Sequence, residues 1–96
     1  MNLQQFTASL AQDTQPPDLS FQLQALWLDA KGDWFNAHEC VRDLSDPFSA
    51  NIHAYLHRVE GVIWNADHWY RQAGKSRPDC SLKDEWQQLL AQALQP

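Results

Sequence analysis

Apolar residues recur along most of the chain at the three- and four-residue spacing of an amphipathic helix, and rarely with the alternation of a strand. This pattern predicts an all-α protein of five or six helices. The apolar positions of the first three helices are Leu3, Phe6 and Leu10, then Leu19, Leu23, Leu26, Trp27 and Ala30, then Trp34, Ala37, Val41 and Leu44. The prolines at 16–17 end the first helix, since proline lacks an amide donor. Asp18 or Ser20 is expected to cap the second helix and Asp33 the third.

The second half of the chain predicts three further helices. Asp46 is expected to cap the fourth helix, with Pro47 at its first position, and Gly61 ends it. The fifth helix is predicted over 64–73, and Ser81 is expected to cap the last. The apolar positions are Phe48, Ile52, Tyr55, Leu56 and Val59 in the fourth helix, and Leu82, Trp86, Leu89, Leu90 and Leu94 in the last.

Two parts of the chain repeat one pattern when Gly32 is aligned with Gly61. Each part has an alanine seven positions before the glycine and another five positions after it, so two antiparallel helices can approach closely around a tight turn. The matched positions are Ala25, Gly32, Trp34, Ala37 and Val41, and Ala54, Gly61, Ile63, Ala66 and Tyr70. The pattern resembles the tetratricopeptide repeat, with a period of 29 residues between the glycines where that family has roughly 34.

The resemblance implies two stacked helical hairpins, with the N- and C-terminal helices covering the ends of the stack. The expected single domain, 1–96, then divides into an N-terminal helix and proline break (1–17), two hairpins (18–46 and 47–78) and a C-terminal helix (79–96). Because repeat arrays usually need three or more units, we expect the terminal helices or a second copy of the chain to cover the exposed apolar faces. The stretch 53–61 and the residues at 65–66 and 69–71 also resemble a group of small uncharacterised bacterial proteins, which implies a bacterial source.

Composition and charge narrow the expected partners. The chain has 7 basic and 12 acidic residues, and its net charge of −5 argues against nucleic acid as a partner. The longest apolar runs, such as 25–28, are too short to cross a membrane, and the first five residues lack the pattern of a signal peptide. These features predict a soluble cytoplasmic protein. Cys40 and Cys80 are expected to be reduced thiols, with a redox disulfide as the alternative.

The fourth predicted helix carries the residues that could perform chemistry. His53, His57 and Glu60 fall within roughly a 60° sector of its surface. Histidines four residues apart on a helix can hold a divalent metal such as zinc, with Glu60 as a third ligand or a proton acceptor. The set differs from the His-Glu-x-x-His motif of zinc proteases, because Ala54 follows His53.

His38, on the third helix, is expected to join these residues if the two hairpins stack, whereas Glu39 points away. Three interpretations of the cluster remain open. The histidines could be neutral packing residues satisfied by Glu60, Tyr70 or a backbone carbonyl. They could also line a polar pocket without a metal, or form a metal site.

Two residues of the fifth predicted helix, Trp64 and His68, are expected on its surface and are candidates for an interface. The expected function is a small helical protein-interaction module that binds a protein partner or itself as a homodimer, with no cofactor and no membrane or nucleic-acid partner. The alternative is a small metal-dependent or acid/base enzyme that uses His38, His53, His57 and Glu60.

Overall fold

The computed structural model describes residues 1–95, which form six helices and no strand. The predicted all-α class is confirmed for this part of the chain. Pro96, the last residue of the predicted segment 79–96, lies outside the described residues. The helices are α1 (Leu3–Ser9), α2 (Phe21–Ala30), α3 (Trp34–Val41), α4 (Pro47–Glu60), α5 (Ile63–Gln72) and α6 (Leu82–Ala93).

Side-chain caps begin most of these helices, and the predicted caps are confirmed. Each cap accepts a hydrogen bond from the backbone N–H three residues further on, and the caps of α2, α3, α4 and α6 are Ser20, Asp33, Asp46 and Ser81. Asp18 is not the cap of α2; it adopts a left-handed backbone with φ 65°. Asn2 and Gln5 form a reciprocal capping box at α1, which was not predicted from the sequence.

Tight turns at two glycines join α2 to α3 and α4 to α5. Gly32 and Gly61 have φ values of 82° and 89°, a left-handed conformation that glycine adopts without steric cost. The two most extensive helix–helix contacts among residues 1–95 are the ones within these pairs. Ala54 and Ala66 are both fully buried and pack in one cluster with Tyr70. Small side chains therefore let α4 and α5 pack closely.

One hydrophobic core is shared by α1, α2, α3, α4 and α6. Its largest fully buried apolar side chains include Phe6, Leu26, Ile52, Leu56 and Leu90. Indole N–H groups tie elements together at the edge of this core. Trp27 donates to Ser9 Oγ at 3.1 Å, and Trp86 donates to the Leu26 carbonyl at 3.0 Å. The terminal helices α1 and α6 thus complete the core of the central helices.

A buried polar network, which the sequence analysis missed, joins α6 to α4 and α5. Glu85 is only 4% exposed and accepts hydrogen bonds from Tyr70 Oη at 2.7 and 2.8 Å. Arg58 Nη1 donates to the same carboxylate at 2.7 Å, and its other nitrogen donates to the Cys80 carbonyl. Burial raises the pKa of Tyr70, so its hydroxyl stays protonated and donates.

Three residues predicted to face the core are exposed instead. Leu3 is 58% and Leu82 39% exposed, and Ala30 is also exposed. Leu3 and Leu82 begin α1 and α6, and Ala30 is the last residue of α2. All three lie at a helix end, and the apolar spacing alone does not bury them there.

Two further expectations concern membrane contact and the cysteines. None of the helices in residues 1–95 is long and apolar enough to cross a bilayer; the longest, α4, has 14 residues, where a span needs roughly 20. Cys40 and Cys80 are both free and half-buried. Burial, followed by the charges of Asp33 and Glu39, raises the pKa of Cys40 and keeps it a thiol.

The close contact of α4 with α5 leads to a stability prediction. Replacing the fully buried Ala54 with leucine (Ala54→Leu) should overpack this contact and lower the free energy of unfolding by about 1 to 3 kcal/mol. Thermal melts and urea titrations measure the loss. The matched control, Ala91→Leu, places the same side chain on the exposed face of α6 and should melt close to the wild type. Equal melting temperatures for the two variants would contradict the packing described here.

Candidate metal centre

Three histidine rings from two helices meet in the interior of the protein. His53 and His57 lie one turn apart on α4, and His38 reaches them from α3. The Nε2 atoms of His38 and His53 are 2.9 Å apart. One ring nitrogen from each of the three histidines lies within 4.8 Å of the other two. His53 and His57 are 2% and 6% exposed, and His38 is half-buried. We call these three residues the histidine cluster.

Glu60 and Asn65 determine how His57 carries its proton. Glu60 Oε1 lies 3.0 Å from His57 Nδ1, and Asn65 Nδ2 lies 3.3 Å from His57 Nε2. A carboxylate can only accept and an amide NH₂ can only donate. Neutral His57 therefore carries its proton on Nδ1 and directs its Nε2 lone pair toward Asn65.

Two tryptophans flank the histidine cluster. Trp34 stacks on His38 with ring centroids 4.9 Å apart, and Trp69 stacks on His53 at 3.9 Å. Trp34 is itself held by a 2.6 Å hydrogen bond from its Nε1 to the Leu56 carbonyl. These stacks fix the planes of both imidazoles and shield the ring faces from water.

Burial keeps two of the histidines neutral. The pKa of His53 is lowered from 6.5 to about 3, mainly because the residue is buried and secondly because His38 and His57 repel its positive charge. Burial, followed by repulsion from His57, also lowers the pKa of His38. Neutral imidazoles are the form that binds metal ions. His53 Nε2 faces His38, and His53 Nδ1, on the other side of the ring, is buried without a hydrogen-bond partner among residues 1–95.

The structure brings together some of the predicted candidates and separates others. His38 joins His53 and His57, as the hairpin pattern suggested. Of the two roles suggested for Glu60, third ligand or proton acceptor, its position fits the second. Glu60 is bonded to the far nitrogen of His57, so His38 takes its place as the third possible ligand. Of the alternative partners suggested for the histidines, Glu60 contacts His57, whereas the Tyr70 hydroxyl donates to Glu85.

The remaining candidates lie on the surface, and two residues near the cluster were missed. Glu39, Trp64 and His68 are all exposed, Trp64 by 74%. Asn65 and Trp69 were not identified as part of the site. They lie four residues apart on α5, the same spacing as His53 and His57, and each covers one of those histidines. Matching the polar and aromatic stripes of neighbouring helices would have identified them.

Comparison of the chain with protein-family models, with curated proteins and with solved structures finds no match. The resemblance to the tetratricopeptide repeat therefore stays a prediction from the hairpin pattern.

The geometry of the histidine cluster suits a metal ion that prefers nitrogen ligands. Two imidazoles bound to one zinc ion have Zn–N bonds of about 2.0–2.1 Å, which places their nitrogens roughly 3.3 Å apart. The 2.9 Å between the Nε2 atoms of His38 and His53 is somewhat shorter than this spacing, and a ring nitrogen of His57 lies within 4.8 Å of both residues' ligand atoms. Imidazole ligands favour Zn²⁺, Cu²⁺ and Ni²⁺ over Mg²⁺ and Ca²⁺, which prefer oxygen.

The neutral state of His53 predicts how stability depends on pH in the chelator-treated protein. Folding lowers the pKa of His53, so the unfolded chain binds a proton that the folded protein does not. The free energy of unfolding is therefore highest above pH 6.5. It decreases as the pH falls, by about 1.4 kcal/mol per pH unit for this residue. Urea titrations at pH 6.5 and pH 5 measure the loss.

Substitutions test whether His53 causes this loss of stability at low pH. His53→Gln should remove the His53 contribution to the pH dependence, whereas His68→Gln, at an exposed histidine of α5, should retain it. A His53→Gln protein with the full wild-type pH dependence would contradict the assignment.

Proposed function

We propose that this protein binds one divalent cation of the zinc class through His38, His53 and His57. The observation that supports this most directly is the convergence of three ring nitrogens within 4.8 Å of one another in the interior. Three protein ligands and an open fourth position are typical of zinc sites that perform chemistry, whereas structural zinc sites usually have four.

The surroundings of the histidine cluster support binding through His57. A metal-bound histidine usually donates its other ring N–H to a carboxylate or carbonyl, which orients the ring and makes it a better ligand. Glu60 accepts this bond from His57 Nδ1 at 3.0 Å. The lone pair of Nε2 is therefore the one available to a metal.

The packing interpretation accounts for fewer of the contacts. Three apolar side chains could fill the space between α3 and α4 without the cost of burying polar rings. A cation between the rings would use their Nε2 lone pairs, and the lone pair of His57 accepts only a long hydrogen bond, 3.3 Å, from Asn65.

Titration calorimetry with zinc tests the proposal on protein freed of metal by a chelator. We expect one ion per chain and a higher melting temperature with zinc than without. Either His38→Ala or His57→Ala should weaken binding at least a hundredfold, while His68→Ala, the exposed control on α5, should bind as the wild type. Glu60→Gln should weaken binding tenfold to a hundredfold. Absence of binding, or binding that survives in the His38→Ala, His57→Ala double variant, would overturn the proposal.

A second candidate function, self-association or binding of a protein partner, is favoured by the surface of α5. Trp64 is 74% exposed and the adjacent Ile63 is 38% exposed. His68 is also exposed and lies one turn further along the helix. An exposed tryptophan is a costly surface residue and a common anchor of protein interfaces.

Sedimentation velocity tests this candidate. Trp64→Ala should weaken self-association at least tenfold while shifting the melting temperature little, because the side chain is already exposed. Phe35→Ala is the matched control, since Phe35 is a 66% exposed aromatic residue on α3. A wild-type protein that stays monomeric at high concentration would contradict self-association.

A further inference from the structure

Asn65 occupies a distinctive position in the candidate metal centre. It lies on α5, the helix that contributes no histidine to the cluster. Its amide nitrogen is 3.3 Å from His57 Nε2, the atom whose lone pair a metal would take. Asn65 and His38 are half-buried, whereas His53 and His57 are nearly inaccessible. The centre is therefore least covered at Asn65 and His38.

The hydrogen bond of Asn65 cannot survive metal binding. The lone pair of Nε2 can either accept a hydrogen bond or bind a cation. An amide NH₂ group has no lone pair to offer a metal, so the displaced donor needs a new acceptor nearby. Three histidines leave a fourth position on a tetrahedral ion, and an oxygen ligand bound there would be such an acceptor.

Resting on the proposed function, we infer that the metal-loaded protein holds a small oxygen ligand in the fourth position and that Asn65 donates a hydrogen bond to it. The ligand is water or hydroxide, which a small carboxylate such as acetate can replace. Stacking of Trp34 on His38 and of Trp69 on His53 covers one face of each ring and restricts the space for larger molecules. Asn65 is thus a positioning residue for the bound anion.

This arrangement favours the anionic form of the ligand. A hydrogen bond donated to hydroxide or carboxylate is stronger than one donated to neutral water. Asn65 should therefore ease deprotonation of the metal-bound water and tighten carboxylate binding. Glu60 does not compete for the anion site, because its oxygen accepts from His57 Nδ1 on the other side of that ring.

The cobalt(II) form of the protein gives a direct readout, because the visible spectrum of Co²⁺ responds to its ligands. In the wild type, we expect the spectrum to change with pH as the bound water deprotonates and to change again on titration with acetate. Asn65→Ala should raise the midpoint of the pH change by about one unit and weaken acetate binding roughly tenfold, the effect of one charge-assisted hydrogen bond. Gln72→Ala, at an exposed position of the same helix, should leave both values unchanged.

A second substitution keeps the test informative if Asn65→Ala perturbs folding. Asn65→Asp has the same size and puts a negative charge beside the anion, so it should abolish the acetate response while cobalt still binds.

Two spectroscopic results would overturn the inference and leave the proposed function intact. A wild-type cobalt spectrum that changes with neither pH nor acetate would show that a protein group occupies the fourth position on the metal, with Asn65 Oδ1 as the obvious ligand. Identical responses in the wild type and Asn65→Ala would show that another group holds the anion. Failure of the wild type to bind cobalt or zinc at all would instead overturn the proposed function and this inference with it.

Discussion

Helix α4 is surrounded on all sides, and the candidate site depends on this constraint. Every residue at 49–57 is buried, including the polar residues Ser49, Asn51, His53 and His57. A helix enclosed in this way is usually apolar throughout. Polar groups in it must find partners within the protein. Ser49 does so by accepting a 2.7 Å hydrogen bond from Gln22 of α2, and both nitrogens of His57 do so with Glu60 and Asn65.

The close fit around α4 also explains the electrostatics of the site. The chain as a whole has a net charge of −5, yet the histidine cluster lies in a region from which water and counterions are largely excluded. Charge there is costly, so His38 and His53 stay neutral although Glu39 and Glu60 are near enough to favour protonation of His38. Because these two imidazoles are already neutral, they need not lose a proton before a cation binds.

The sequence predicted most features that depend on residues close together in the chain. The caps at Asp33, Asp46 and Ser81 and the glycine turns are local, and so is the pairing of His53 with His57 across one helical turn. The position of His38 followed from assuming that neighbouring hairpins stack. The apolar stripe of α4 did not predict that its opposite side is also buried, because that depends on how closely α5 packs through Ala54 and Ala66.

The features that the sequence did not reveal join residues from distant parts of the chain. Arg58 and Glu85 are 27 residues apart, and their ion pair forms only once α6 has packed against α4. Asn65 donates to a histidine of the preceding helix. Its role depends on which nitrogen of His57 carries the proton, and Glu60 decides that. The periodicity of a single helix contains no information about such pairings.

The histidine cluster draws on both hairpins but is not a repeated feature. With Gly32 aligned on Gly61, the positions equivalent to His53 and His57 are Gln24 and Leu28, and the position equivalent to His38 is Asp67. Neither hairpin contains the whole cluster, since α3 of the first and α4 of the second each supply part of it. Lengthening the chain by copying either hairpin would therefore extend the scaffold without duplicating the site.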